Sequence, residues 1–303
     1  MTRRRLPPGR RHRLGLVARL LPLIIFFSAT VGVGLVHGAL QSLALAGPPA
    51  LDSGRAGMSI WYAYRKLFLT PELLASLGHT FAVALVAAVA AVAIGAPAAY
   101  LLWRSPGWVR SAAAVYRLPI ILPHVVVAFI VLVFWSRTGI IAAMLVRIGL
   151  DPEALGFSRI LFGANGLGII LAYVYKTFPF VMLLAMGVLD RIPDRLITTA
   201  HMLGAGPVRT FFVVVLPQLM PMLNQVFIIL FLYTLGGFDI PWLLGASRPQ
   251  MVPMTVYALY FQGSLADRSI AMAALTLLAV TAFFFVAVYS RIARRLAVGE
   301  RPI

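Results

Sequence analysis

The sequence predicts an all-α membrane protein with six transmembrane helices and a helical loop on the cytoplasmic side between the fourth and the fifth. Three observations predict it. Of 303 residues, 61% are hydrophobic and 12% are charged, about half the charged fraction of a soluble globular chain, which is roughly 25%. Mean hydropathy is +0.93. Six stretches stay apolar over the roughly 20 residues that a helix needs to cross about 30 Å of hydrocarbon. The formal charge of +17, from 26 Lys and Arg against 9 Asp and Glu, is shared unevenly among the segments between them. On a soluble chain such a charge points to nucleic acid. On a spanning chain it points to orientation instead, and no nucleic-acid partner is expected. The absence of Cys excludes a disulfide framework, thiolate metal ligation and a cysteine nucleophile.

The spans are expected at residues 20–43, 80–103, 118–135, 166–188, 216–240 and 269–292. Pro119, Pro123, Pro217 and Pro221 interrupt the third and fifth near their starts, which membrane helices tolerate because neighbours re-satisfy the freed carbonyls. Sorting the basic residues by side places 17 with the two termini and the loops after spans two and four, eight on the other side, and Lys176 within a span. Basic residues are retained in the cytoplasm, so both termini are expected there. The Arg-rich start, the apolar run and Ala44-Leu45-Ala46 also resemble a cleavable signal peptide, but the run exceeds the usual 7–15 residues, and cleavage leaves five spans. The chain thus divides into a basic cytoplasmic tail (1–19), a first span and external loop (20–79), a five-span core (80–292) and a second cytoplasmic tail (293–303). Residues 1–13, with Pro7, Pro8 and Gly9, are expected to be disordered and close to anionic lipid. No repeat with a period of 20–50 residues signals a solenoid.

Two external segments carry weaker signals. In residues 44–79, Trp61, Tyr62, Tyr64 and Phe68 are read as interfacial anchors, since amphipathic rings favour the headgroup layer. In residues 137–165, Asp151-Pro152-Glu153 reads as a helix start with acids in the first turn.

The loop between spans four and five is the most informative segment. Leu189, Ile192, Leu196, Ala200 and Leu203 fall on one helical stripe, while Asp190, Arg191, Asp194, Arg195, Thr198 and His201 occupy the other faces. Pro193 and Asp194 suit a first helical turn, and Gly204 suits the left-handed residue that ends a helix. Pro207 then opens a second short helix, expected to end before Pro217. Periodicity alone leaves two readings open: a helix resting on lipid, or a knob whose polar face is read by a soluble partner.

Thr198-Thr199-Ala200, three residues, Gly204, nine residues and then Val214-Val215-Leu216-Pro217 resembles the signature E-A-A-x3-G-x9-I-x-L-P of the permease subunits of binding-protein-dependent ABC importers, the MetI-like family. Ala200, Gly204, Leu216 and Pro217 match, Val214 replaces Ile, and Thr198 and Thr199 depart from the Glu and first Ala, so any ionic contact made by that Glu is absent here. The resemblance extends over about residues 73–292. It includes Ala99-Tyr100-Leu101-Leu102, Leu118-Pro119 through Leu122-Pro123, Lys176 with Pro179-Phe180, and Gly236-Gly237-Phe238-Asp239-Ile240-Pro241 with Leu244-Gly245. It implies a coupling loop of Thr198, Thr199, Ala200, His201, Gly204 and Pro217 that docks on a cytoplasmic ABC ATPase dimer. It also implies a second permease subunit, an extracytoplasmic substrate-binding protein and a bacterial inner-membrane location. The segments 236–245 and 251–260 look most like the spermidine/putrescine-type permeases, so a polyamine is the expected solute. Iron, thiamine and phosphonate permeases are the neighbouring alternatives. The chain lacks the phosphate-cradling G-x4-G-K-[ST] loop, so no cofactor is expected on it, and ATP is expected on a partner subunit. A secondary transporter driven by an ion gradient is the rival reading; it predicts inverted halves and acids deep in the spans, which the sequence does not have.

Candidate solute-pathway residues follow from the cost of polar groups in lipid. Lys176 is read either as a pathway or inter-subunit charge or, preferably, as a residue snorkelling or paired to a carbonyl. Asp239, after span five, either attracts a cationic solute or caps locally. Asn224, Gln225 and Tyr233 offer hydrogen bonds without a buried charge, to a solute or across a permease dimer. His124 reads as a satisfied core histidine; no partner at metal-ligand spacing accompanies it, and no metal is expected.

Overall fold

A computed structural model describes residues 8–43, 45 and 59–299. Among them the chain is helical without strands, in fourteen α-helices: α1 (Pro8–Ser42), α2 (Tyr62–Leu69), α3 (Pro71–Trp103), α4 (Gly107–Ala112), α5 (Leu118–Ile121), α6 (His124–Trp135), α7 (Ile140–Arg147), α8 (Leu167–Leu189), α9 (Asp194–Met202), α10 (Pro207–Thr210), α11 (Leu216–Leu235), α12 (Asp239–Leu244), α13 (Val252–Tyr257) and α14 (Leu265–Gly299). Six segments among the described residues are long and apolar enough to cross a membrane: Arg19–Ser42, Pro71–Trp103, His124–Arg147, Leu167–Leu189, Pro207–Leu235 and Leu265–Ala293. The all-helical, six-span expectation holds, because in hydrocarbon a helix satisfies every backbone polar group within one segment.

Several boundaries differ from expectation, each for a local reason. Span two starts at Pro71, nine residues before Thr80, since Pro at the first helical position and Glu72 in the first turn nucleate the helix ahead of the apolar run. Span three breaks at Leu122, whose extended backbone (ψ 137°) is what a residue preceding proline prefers. Asp151-Pro152-Glu153 does not open a helix. The Asp151 carboxylate accepts the Glu153 N–H at 3.0 Å, but the Phe157 N–H closes onto the Pro152 carbonyl at 3.1 Å, and the chain turns after a single coil. Residues 1–7 of the expected disordered tail lie outside the described residues, whereas Pro8–Arg13 are part of α1. Residues 46–58 of the first external loop also lie outside them.

The chain forms two compact units. In the unit of residues 1–69 and 258–277, the lower part of α1 is joined to α2 by a 2.8 Å bond between Ser42 Oγ and Tyr64 Oη. Trp61 and Phe68 are exposed, whereas Tyr64 is engaged internally. Asp267 accepts the Ser264 N–H at 2.9 Å and lies 3.8 Å from Lys66 Nζ, which caps α14.

The unit of residues 70–257 and 278–303 contains the candidate site. Its α3 presents Ala84, Ala87, Ala88, Ala91, Gly95 and Ala99 as a buried small-residue face, the device by which membrane helices approach closely where lipid is as apolar as any side chain. At Gly95 α3 and α8 approach closely: a Cβ there falls 2.7 Å from Val181 Cβ and 2.9 Å from the Phe178 carbonyl oxygen. Phe81, Phe231 and Phe285 pack mutually with ring centroids 4.6–5.1 Å apart and tie α3, α11 and the later part of α14 together.

Candidate functional site

The loop between spans four and five is built by caps and turns. Pro193 stands in extended conformation (φ −63°, ψ 129°) before α9, and Asp194 occupies the first turn, where a carboxylate meets the positive helix end. At the other end Gly204 has φ +77°. Its N–H donates to the His201 carbonyl at 2.9 Å, and the Ala205 N–H donates to the Ala200 carbonyl at 2.9 Å. This pair of bonds is the Schellman closure. No atom lies within 4 Å of where a Gly204 Cβ would project, so the glycine is required by backbone conformation and not by crowding.

The expected stripe is only partly buried. Leu189, Ile192 and Ala200 are buried, while Leu196 is exposed, and Met202 (82%), Leu203 (80%), Val208 (70%) and Phe212 (59%) stand out from the elbow around Gly204. Thr198 and Thr199 donate back to the Asp194 and Arg195 carbonyls at 3.0 and 2.8 Å, which occupies the hydroxyls at the two departures from the signature. His201 is exposed.

The helix opened by Pro207 does not end before Pro217, contrary to expectation. α10 runs through a π-helical turn, Phe211–Val215, into α11, with Pro217 at the start of α11 and exposed. A proline cannot donate the i→i−4 bond, and the widened turn before Pro217 keeps the helix continuous. The elbow is therefore rigidly joined to span five. It is also moored to span two: Tyr100 Oη donates to the Pro207 carbonyl at 3.2 Å and accepts from Arg104 Nη1 at 2.9 Å, and the Tyr100 and Phe211 rings lie 5.2 Å apart. Sequence reasoning noted Tyr100 without assigning it this task.

The break in span three positions the second group of residues. Pro123 has no N–H for the Pro119 carbonyl, and the extended Leu122 leaves its own carbonyl outside any helix. Lys176 Nζ, from the middle of α8, donates to Leu122 O at 2.7 Å and to Pro119 O at 3.4 Å. Lys176 is thus paired to carbonyls.

His124 is not a core histidine. It begins α6 directly after the break, its side chain is 39% exposed, its Nε2 is hydrogen-bonded to Tyr233 Oη, and its Nδ1 lies 4.0 Å from Asp239 Oδ2. The Tyr233 ring lies 5.5 Å from His124 and edge-on at 6.0 Å to the buried Tyr173. Below it a cavity of 200 Å³ is lined by Ile120, Lys176, Thr177, Phe180 and Tyr233. Lys176, Tyr233 and Asp239 are thus gathered around His124 at one end of α11. Asn224 and Gln225 are elsewhere: Tyr289 Oη donates to Asn224 Oδ1 at 2.7 Å, and both amides border a separate 470 Å³ cleft with Pro221, Ile228 and Ser290. Among the described residues no group of three His, Asp or Glu side chains is placed to hold a metal ion.

Residues 91–298 match the family of binding-protein-dependent transport system inner membrane components. The chain belongs to that family. The elbow lies inside the matched region, as do the broken span three, Lys176 and the His124–Tyr233–Asp239 group. Among relatives, the molybdenum transport system permease protein ModB of Azotobacter vinelandii is 30% identical over 183 residues, covering 60% of this chain and 77% of ModB. The maltose/maltodextrin transport system permease protein MalF of Escherichia coli strain K12 is 31% identical over 151 residues, 48% of this chain and 29% of MalF. A chain of a bacterial alginate ABC transporter, in complex with an alginate pentasaccharide-bound periplasmic protein, shares the fold at TM-score 0.75 and 21% identity over 97% of this chain and 98% of that one. A chain of the MetNI methionine ABC transporter shares it at 0.55 and 20%, over 74% and 95%. The relatives are transport permeases, and the six apolar helices make this family member a multi-pass inner-membrane protein.

Proposed function

We propose that this chain is one permease of a pair in an ATP-driven importer, lining the solute pathway and coupling it to a cytoplasmic ABC ATPase dimer. An extracytoplasmic substrate-binding protein delivers the solute, both termini lie in the cytoplasm, and ATP is hydrolysed on the ATPase subunits. The observation that carries this reading is the elbow: a nine-residue α9, closed by the Gly204 turn onto α10, which is itself continuous with span five, acts as a lever whose displacement reaches the pathway. Met202, Leu203, Val208 and Phe212 supply the apolar surface that an ATPase cleft covers. The family, binding-protein-dependent by description, favours this reading over an ion-gradient-driven carrier. A polyamine, the solute expected from residues 236–245, belongs to the same proposal.

Because the chain contains no Cys, Met202→Cys is a clean reporter. We expect maleimide to label it rapidly in the permease alone and slowly once the ATPase subunits are bound. Equal labelling rates in the two states refute docking at the elbow.

A further inference from the structure

We propose that Asp239, His124 and Tyr233 form a subsite for the cationic head of the transported solute, an ammonium or guanidinium group; this rests on the importer reading and names its substrate class. Charge accounting comes first. The buried cation of this region, Lys176, directs two of its three N–H donors to backbone carbonyls, which orients the ammonium without cancelling its charge. Asp239 is different: its side chain is 53% exposed and its ion-pair neighbour is a histidine. Glu153 and Asp267, by contrast, lie 3.7 Å from Arg137 and 3.8 Å from Lys66.

The geometry then leaves an opening for a donor. The 4.0 Å between His124 Nδ1 and Asp239 Oδ2 exceeds the 2.7–3.2 Å of a hydrogen bond. His124 Nε2 is already committed to Tyr233. If Tyr233 donates, Nδ1 carries the proton and the imidazole is neutral, so the carboxylate keeps its full charge. If Nε2 donates, Nδ1 presents a lone pair beside the carboxylate. In the second tautomer an N–H cation seated between them donates to both groups; in the first, where Nδ1–H is itself a donor, the cation donates to the carboxylate alone. An anion meets an uncompensated carboxylate in either.

One aromatic face belongs to the group, and another follows Asp239 on the same helix. The Tyr233 ring is 37% exposed, and Trp242, one turn after Asp239 in α12, is 51% exposed. Trp242 packs on Phe238 at 5.4 Å. Exposed tyrosine and tryptophan faces attract ammonium and guanidinium groups through the ring quadrupole, and indole fluorescence reports the encounter.

The test uses the full-length chain in lipid nanodiscs, purified with the subunits that accompany it, and agmatine as a probe carrying both an ammonium and a guanidinium. Binding is followed by tryptophan fluorescence and calorimetry, with methylphosphonate and maltose as anionic and neutral probes. We expect agmatine to bind and the other two not to. Asp239→Asn, which preserves shape, should weaken agmatine by about tenfold or more, the loss typical of one charge-assisted contact. Glu153→Gln, an exposed acid outside the group, should leave binding unchanged. No agmatine binding, equal affinity in Asp239→Asn, equal loss in Glu153→Gln, or preferential methylphosphonate binding each overturns the subsite. The importer reading is tested separately, by ATP-coupled uptake and ATPase docking, neither of which enters this assay.

Discussion

Gly204 can be replaced by residues that differ in one property, tolerance of positive φ. At φ +77° an L-residue with a Cβ is disfavoured by about 1–2 kcal/mol relative to its right-handed form. No atom lies within 4 Å of the projected Cβ, so packing adds nothing and the whole effect is backbone strain. Asn visits this region readily, Ala pays the base amount, and Val, β-branched, pays more. The strain falls on the two bonds that close α9, from Gly204 to His201 and from Ala205 to Ala200. Since about 1.4 kcal/mol is a factor of ten in an equilibrium constant, Gly204→Ala should reduce the closed-to-open ratio of the elbow by roughly tenfold, and Gly204→Val further. The assay is ATP-driven uptake and substrate-stimulated ATPase activity in reconstituted vesicles, normalised to permease in the membrane. Coupling should fall in the order Gly, Asn, Ala, Val while thermal stability of the spans changes little. Wild-type coupling in Gly204→Val, or a Gly204→Asn as defective as Gly204→Val, refutes the lever, because the effect would then not track backbone conformation.

Two further substitutions probe the packing behind the site. Lys176→Met leaves the Pro119 and Leu122 carbonyls without their donor, at about 1–3 kcal/mol for a buried unsatisfied group. A fall in thermal midpoint on the order of 5 °C is expected, partly recovered in Lys176→Arg; an unchanged midpoint in Lys176→Met rules out the carbonyl clamp. Gly95→Leu forces a side chain into the contact where the Cβ alone would stand 2.7 Å from Val181 Cβ, with an overpacking cost of about 1–3 kcal/mol or more. The comparison is Gly187→Leu on α8, which has nothing within 4 Å and should be near neutral, so equal melting of the two variants refutes the close approach of α3 and α8.

The elements legible in the sequence are those whose cause is local. Gly204 was identifiable because a helix end needs one residue of positive φ, and glycine alone takes it without cost. Lys176 was half legible: a lysine amid apolar residues must find oxygen, but which oxygen depends on a break in another helix. His124 was misread because its apolar neighbours on α6 suggest burial, and only the extended Leu122 before Pro123 turns it toward Tyr233 and Asp239. The missed stop before Pro217 has a similar origin, since proline removes one bond without forbidding a wider turn.

By itself the sequence determined six spanning helices, their apolar lengths and the turn that closes the loop between spans four and five, because hydrocarbon leaves the backbone no alternative and a helix end of positive φ favours glycine. It also carried a basic bias whose meaning is orientation. Only the tertiary structure decided which polar groups meet: Lys176 with the carbonyls of Pro119 and Leu122, Tyr100 with Pro207, and His124 with Tyr233 and Asp239. Each pairing joins residues far apart in the chain, and each, like the close contact of α3 with α8, arises from packing between helices, which no local pattern encodes.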